Sequence, residues 1–273
     1  MLVVTPEINP MNAAGIRCGW SRTTTGVAAD IEPLRRVADE LVARLDDIRL
    51  APHRILDHGC RSGRVTQLLQ QRYLDAEIVQ LGLDQRSLAA ARRSRLALVA
   101  DHRLPLPTGG FDLILSNMAW HWSTDRRALL RSWRRLLRPD GLLLLSTLGS
   151  ESLPELRQAL TTVDQNRCGQ AGSRLLPLPA LSELGQMMNG SGLRLIVLDR
   201  DSVTVSAPSV IGLLRRLRRM GSVNPYHARD RSSYPGRSFW SEVEQCYRAQ
   251  QGVATPTAAI PVTFELIFGH GWH

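Results

Sequence analysis

Three aspartates, Asp57, Asp84 and Asp101, each close an apolar run of strand length and are each followed by residues that read as a turn. The first lies in Ile55-Leu56-Asp57-His58-Gly59-Cys60-Arg61-Ser62-Gly63. Glycines in such a turn let the backbone come close to a ligand, and the helix that follows offers unpaired N–H groups at its start. A carboxylate at Asp57 suits a ligand bearing an ammonium group and repels a pyrophosphate. Asp84, ending Leu81-Gly82-Leu83-Asp84 ahead of Gln85, can accept both hydroxyls of a ribose. Asp101, in Val99-Ala100-Asp101-His102, is placed to meet an adenine edge. Each acid alone reads equally well as a solvated loop residue, and the glycine turn alone as a structural strand–helix junction. Together they favour a nucleoside ligand, and Asp57 leans that reading toward the methionyl part of S-adenosylmethionine and away from NAD. The expected cofactor contacts are Asp57, Gly59, Cys60, Gly63, Asp84, Gln85, Asp101 and His102, joined by Ser116 and Asn117 from a fourth segment.

That fourth segment, Phe111 to Trp122, is an apolar strand ending at Ser116-Asn117 and followed by Met118-Ala119-Trp120-His121-Trp122. Open α/β sheets bind ligands at the carboxyl ends of their strands, so Trp120, His121 and Trp122 could wall a reaction site there. Packing of the tryptophans in a core is the competing reading. His270 and His273 stand three apart near the C-terminus with no carboxylate or cysteine beside them, so no metal site is expected. The sequence has no Gly-x-Ser-x-Gly elbow, which disfavours an α/β-hydrolase.

The elements that must position these residues follow from periodicity. Residues 1–29 carry no regular pattern. Asp30, Glu32 and Pro33 form a helix start, and Leu34, Val37, Leu41 and Leu45 then recur at helical spacing. From residue 53, strand candidates Arg54–Asp57, Ile78–Leu83, Leu96–Ala100, Phe111–Ser116 and Leu142–Thr147 alternate with helix candidates Arg64–Arg72, Ser87–Ser94 and Thr124–Leu137. Strict alternation implies a parallel sheet with right-handed crossovers. Pro139-Asp140-Gly141 reads as the turn that admits the fifth strand. Beyond residue 150 the pattern loosens. Ser152–Val163 is a helix with a capping-box pattern of Ser152 and Glu155. Helices at Pro179–Asn189, Pro208–Met220 and Phe239–Gln250 and strands at Leu193–Val205 and Pro261–Phe268 complete the chain, with a polar loop over Ser222–Gly236. The expected organisation is an N-terminal segment 1–29 and one domain over 30–273, with its core in 50–150 and an elaboration in 151–273.

Composition sets the outer bounds. The 273 residues are 43% hydrophobic, enough for a buried core, and the net charge of +9 points to an acidic partner. Four scattered cysteines without a C-x-x-C pair argue against a zinc knuckle or a disulfide framework. Apolar runs such as Leu142–Leu145 are too short to span a bilayer, and the N-terminus lacks the look of a signal peptide, so a cytoplasmic location is expected. Two basic stretches stand out: Arg215, Arg216, Arg218 and Arg219 beside an apolar stripe of Leu214, Leu217 and Met220, and Arg126, Arg127, Arg131, Arg134, Arg135 and Arg138. Each is either a docking face for an acidic partner or a solvated face.

The series Ile55-Leu56-Asp57, Gly82-Leu83-Asp84, Ala100-Asp101, Leu104-Pro105, Phe111-Asp112 and Ser116-Asn117-Met118-Ala119 resembles the class I S-adenosylmethionine-dependent methyltransferases. Thr147-Leu148-Gly149 with Ser152-Leu153-Pro154-Glu155-Leu156, Leu214–Asn224, and Thr263-Phe264-Glu265 with Gly269-His270-Gly271-Trp272 narrow the resemblance to the malonyl-acyl-carrier-protein O-methyltransferases. It covers roughly residues 20–273 and implies a Rossmann-like α/β fold: a mostly parallel seven-stranded sheet, helices on both faces, and an added helical cap. It implies methylation of a malonyl carboxylate on an acidic acyl carrier protein, a step in biotin precursor synthesis. Arg35, which lies where the family has an arginine, and His121 are then candidates to hold the acyl carboxylate, with Trp122 beside them. The sequence departs from the family at three places. Arg61 replaces the central glycine of the first turn, where it either crowds the cofactor carboxylate or binds it. Val27 stands in place of a substrate-lining tyrosine, and Cys168-Gly169-Gln170 replaces a His-x-Asn. A methyltransferase fold without transfer activity, serving as a binding or assembly factor, is the alternative these departures support. A nucleic-acid methyltransferase is disfavoured, because Ser116-Asn117-Met118-Ala119 stands where amino-methylating enzymes carry Asn/Asp-Pro-Pro-Tyr.

Overall fold

Short apolar runs with no polar alternation belong to strands covered on both sides, and the centre of the sheet has this character. In the computed structural model, which describes residues 32–61, 63–82, 96–99, 104, 106–169, 174–219 and 236–273, Ile55, Leu56, Leu113, Ile114, Leu143 and Leu144 are all fully buried. The elements run α1 (Glu32–Ala43), β1 (Arg54–His58), α2 (Arg64–Arg72), β2 (Glu77–Gly82), β3 (Leu96–Val99), β4 (Phe111–Asn117), a 3-10 turn (Trp120–Trp122), α3 (Arg126–Leu136) and β5 (Leu137–Leu148). They continue with α4 (Pro154–Cys168), α5 (Leu181–Asn189), β6 (Arg194–Ala207), α6 (Val210–Arg219), α7 (Arg237–Gln250) and β7 (Ile260–Trp272). The seven strands are ordered β3-β2-β1-β4-β5-β7-β6, parallel except that β7 runs antiparallel between β5 and β6. This is the mostly parallel, seven-stranded Rossmann-like sheet that the sequence implies.

Helices cover both faces. On one side α1 and α2 pack Val37, Leu41, Val65 and Leu69 against Ile55, Leu113 and Leu144. On the other, α3 and α5 pack Leu129, Trp133, Leu184 and Met188 against Leu56, Ile114 and Leu145. Helix α3 shows why the register holds: Leu129, Leu130, Trp133 and Leu136 are buried while Arg127, Arg131 and Arg135 are exposed, and the Asp125 side chain caps its start by accepting from the Ala128 N–H at 2.8 Å. A third cluster joins α4, α6 and α7 to Ala207, Ile260 and Val262. Because Leu148 at the end of β5 pairs with Leu266, residues 260–265 of β7 lie beyond the carboxyl end of β5. The helical elaboration therefore rises from the same edge at which β1 and β4 end.

Two local expectations are corrected. The Ser152–Glu155 pair is not a capping box. Leu153 takes the position before α4 with φ +57 and no side-chain cap, and Pro154 opens the helix. Ser152 Oγ instead donates to the Glu265 carbonyl and accepts from its N–H, both at 3.1 Å, while Glu155 accepts from the Thr263 hydroxyl and N–H. These partners on β7 satisfy both side chains better than the helix terminus could. Pro139-Asp140-Gly141 is likewise no separating turn: β5 begins at Leu137, and the triplet is taken up where the β4–β5 register shifts, with Asp140 at φ +59 and the Gly141 carbonyl accepting from the His273 N–H at 2.9 Å. The strand calculated from apolar residues alone starts five residues too late for this reason. The expected Ser87–Ser94 helix and the Ser222–Gly236 loop up to residue 235 lie outside the described residues.

The Ser152–Glu265 lock leaves no room at Gly149. A Cβ built there would sit 2.2 Å from Glu265 Oε2, and that oxygen is already fixed by the Glu151 N–H at 2.8 Å. Gly149→Ala should therefore lower unfolding free energy by roughly 1–3 kcal/mol in urea titration. An unchanged midpoint would show that the Glu265 side chain yields freely.

Candidate active site

The chain turns from β1 into α2 through three left-handed residues at alternate positions, Gly59 at φ +79, Arg61 at φ +42 and Gly63 at φ +75. Glycine enters this region freely, whereas an L-residue pays roughly 1–2 kcal/mol. The Gly59 and Cys60 N–H groups both donate to the Leu81 carbonyl, at 2.6 and 3.2 Å, so they tie the turn to β2 instead of pointing at a ligand. The Gly63 N–H closes the turn on the Cys60 carbonyl at 2.7 Å.

Asp57 is only 1% exposed, facing α2. Its Oδ2 accepts from the Thr66 hydroxyl at 2.6 Å, and that hydroxyl accepts from Gln80 Nε2 at 2.7 Å, so one chain of hydrogen bonds links β2, α2 and β1. Oδ1 is buried with no hydrogen-bond partner among the described residues. Burial pushes the Asp57 carboxyl up to about 6, against the opposing pull of the Thr66 hydroxyl.

The end of β4 lies alongside, with His58 in register with Ser116. Ser116 is fully buried, and its Oγ too has no partner among the described residues. Asn117 Oδ1 accepts from Ser146 Oγ at 2.7 Å, and Met118, at φ +52, donates its N–H to the Ser146 carbonyl at 3.0 Å. The peptide beyond β4 is thus pinned to β5. The Met118 carbonyl accepts from Arg61 Nη2 at 3.2 Å, so the guanidinium reaches from the β1 turn to the segment after β4. Burial lowers the Arg61 guanidinium to about 10. In this strand order the connections diverge between β1 and β4, which makes their carboxyl ends the expected ligand crevice.

In the 3-10 turn, His121 is buried, with Nδ1 3.0 Å from Thr147 Oγ1 and its ring 5.2 Å from that of Trp122. Burial, reinforced by the Arg126 and Arg61 charges, holds the imidazole well below its usual range. His121 is therefore neutral at physiological pH, and the expectation that it supplies a cation is corrected: two nearby guanidinium groups disfavour a third positive charge. It retains the capacity of a neutral hydrogen-bonding group. Trp122 is buried beside it, whereas Trp120 belongs to the core under α3, its Nε1 donating to the Arg126 carbonyl at 3.2 Å.

Of the candidates from sequence, Asp57, Gly59, Cys60, Gly63, Ser116, Asn117, His121 and Trp122 all lie at or just beyond the carboxyl ends of β1 and β4, with the Asp57 side chain on the α2 side of the sheet and that of Ser116 on the α3 side. Arg35 is exposed near the start of α1. Asp84, Gln85, Asp101 and His102 lie outside the described residues, two or three positions past the ends of β2 and β3. Thr66, Gln80, Ser146 and Thr147 were not singled out by sequence. The available signal was Ser146-Thr147, two polar residues that end the apolar run Leu142–Leu145.

The methyltransferase domain family matches residues 56–145, from β1 through β5. Over 87% of its length the chain is 32% identical to the malonyl-[acyl-carrier protein] O-methyltransferase of Laribacter hongkongensis, covering 82% of that protein. It belongs to the malonyl-[acyl-carrier protein] O-methyltransferase family. Among this family's wider relatives, the mitochondrial arginine-hydroxylase NDUFAF5 of Danio rerio is 28% identical over 87% of the chain and 72% of that protein. The fold is shared with the YcgJ protein of Bacillus (TM-score 0.59, 16% identity, 86% of this chain and 97% of that one). It is shared also with the phosphoethanolamine N-methyltransferase 2 of Haemonchus contortus in complex with S-adenosylhomocysteine (TM-score 0.51, 14% identity, 86% of this chain and 52% of that one).

The raised Asp57 carboxyl has a measurable consequence in this family member. Its folded-state value of about 6 exceeds the ordinary 3.8, so the stability linked to its proton is present in acid and is lost as pH rises through about 6. Asp57→Asn removes that dependence. The variant should gain stability relative to the parent between pH 4 and pH 7, by at most about 3 kcal/mol. Parallel pH profiles in denaturant unfolding would show that Asp57 is not held in this state.

Proposed function

We propose that this chain is a cytoplasmic S-adenosylmethionine-dependent O-methyltransferase acting on the free carboxylate of a malonyl or similar dicarboxylic acyl group on acyl carrier protein, in biotin precursor synthesis. The observation that carries the reading is the buried Oδ1 of Asp57 at the end of β1, which has no hydrogen-bond partner among the described residues. Buried polar atoms rarely go unpaired, and this carboxylate oxygen suits a ligand with an ammonium group. Identity to a relative named for malonyl-[acyl-carrier protein] methylation supports the acceptor, and a fold neighbour that holds S-adenosylhomocysteine supports the cofactor.

When bound, the cofactor supplies a methyl group on a sulfonium, an electrophile that needs no metal. Asp57 would hold its ammonium group, with Asp84 taking the ribose and Asp101 the adenine; Gly59, Cys60 and Gly63 shape the turn, and Gln85, His102, Ser116 and Asn117 complete the contact set. A half-malonyl carboxylate is ionised at neutral pH and attacks in line without a general base. A neutral His121 is consistent with this, since the site then has only to orient the carboxylate and exclude water. Orientation alone can supply up to about 7–11 kcal/mol of the barrier. Trp122 and His121 form the dry wall for that step.

Helix α6 provides a surface for an acidic carrier protein. Val210, Leu213 and Leu217 face the core, leaving Arg215, Arg218 and Arg219 exposed. On α3, Arg127 and Arg131 are exposed as well. Such patches steer an acidic partner through long-range attraction. One observation favours the second reading, a binding factor without transfer activity: the Arg61 guanidinium is bonded across the crevice to the Met118 carbonyl.

Growth without biotin of a bacterium lacking its own carrier-protein methyltransferase should be restored by this chain, and labelled methyl should pass to malonyl-acyl carrier protein in vitro. Cofactor binding with no transfer to any acyl-carrier substrate would select the binding-factor reading. If α6 docks the carrier, Arg215→Glu combined with Arg218→Glu should lower kcat/KM for malonyl-acyl carrier protein on the order of tenfold at low salt and flatten its salt dependence. The rate on malonyl-pantetheine should stay the same, and equal losses on both substrates would rule out a docking role.

A further inference from the structure

We propose that Arg61 is the carboxylate-binding residue of the crevice. The inference rests on the cofactor reading above and assigns its specificity to one side chain. The backbone at residue 61 keeps the left-handed conformation of its flanking glycines, at φ +42 between +79 and +75. An arginine therefore occupies a position built for glycine, at a cost of roughly 1–2 kcal/mol. Its side chain does not escape to water: Nη2 bonds the Met118 carbonyl at 3.2 Å, and that carbonyl is fixed because the Met118 N–H is held by Ser146. The guanidinium is thus positioned between the ends of β1 and β4.

A guanidinium there favours one ligand chemistry. Its planar fork gives a carboxylate two parallel N–H bonds between opposite charges, which a single neutral carbonyl cannot offer. The neighbouring imidazole does not compete, because Arg61 itself helps to keep His121 neutral. Four residues earlier, Asp57 has a buried carboxylate oxygen with no hydrogen-bond partner among the described residues. An acid and a guanidinium at the two ends of one turn complement the ammonium and carboxylate of an α-amino acid. The carboxylate can come from the methionyl tail of the cofactor or from the acyl half-acid, and the two sources are separable.

The test is calorimetric binding to the full chain and to Arg61→Gly and Arg61→Lys. The probes are S-adenosylhomocysteine against 5′-methylthioadenosine, which lacks the amino-acid carboxylate, and malonyl-pantetheine against acetyl-pantetheine. Arg61→Gly should fold well, since its backbone already suits glycine. The preference for the carboxylate-bearing member of one pair should fall on the order of tenfold or more in Arg61→Gly, with the other member bound as before. Arg61→Lys should retain part of it. Loss in the first pair assigns the methionyl carboxylate, and loss in the second assigns the acyl group; either supports the proposal. Unchanged preferences, or tighter S-adenosylhomocysteine binding by Arg61→Gly, would make the side chain an obstruction and overturn it. If neither protein binds either adenosyl probe, the cofactor reading fails along with it.

Discussion

One strand–helix turn takes the Asp57 carboxyl out of water and half-buries the Arg61 guanidinium, and the structure around them is arranged to tolerate that burial. An ionised group in a dry interior costs several kcal/mol unless dipoles or counter-charges offset it. Asp57 is offset in part by Thr66, which Gln80 orients from β2, and its carboxyl still remains raised to about 6. Arg61 is offset in part by the Met118 carbonyl. The parallel sheet makes the arrangement possible, because β1 and β4 end side by side where their connections part, so that groups on both loops can converge.

The carboxyl edge would be open to solvent if the sheet ended at β5. Instead β6 and β7 run on past it and carry α4, α6 and α7 on their far ends. The junction is fixed by polar contacts distant in sequence: Ser152 bridges the backbone of Glu265, Glu265 holds the Glu151 N–H, and Glu155 holds Thr263. These contacts make the Ser-Leu-Pro-Glu-Leu segment and the start of β7 one joint. What the joint positions is the helical layer beside the crevice, including the exposed arginines of α6.

Sequence revealed the scaffold because strand and helix periods are local. Helix α2 was legible to the residue, and the β1, β2 and β4 boundaries to within one residue, since buried apolar runs and amphipathic stripes need no distant partner to be recognised. Reasoning failed where the deciding partner was far away. Ser152 and Glu155 have the spacing of a capping box, but their partners are 108 to 113 residues downstream on β7. His121 looked like a cation because its pKa depends on burial and on Arg126 and Arg61, none of which its own segment discloses. Arg61 was visible as a departure from glycine, while the direction of its side chain was not.

Retention of the left-handed turn around Arg61 bears on whether the crevice still works. A chain released from ligand binding would have no reason to keep three strained or glycine-dependent positions in register, since a relaxed turn would spare the arginine its backbone cost. Here Gly59 and Gly63 keep positive φ, Asp57 keeps its buried place, and the peptide after β4 stays pinned by Ser146 and Asn117. The left-handed turn and the pinned peptide after β4 are therefore both in place on either side of the Arg61 guanidinium. Under the proposed reading, transfer to a carboxylate asks for no general base, and the share left to the protein is orientation. Under the same proposal, the cation held at Arg61 governs which ligand carboxylates the crevice selects more than which reaction it supports.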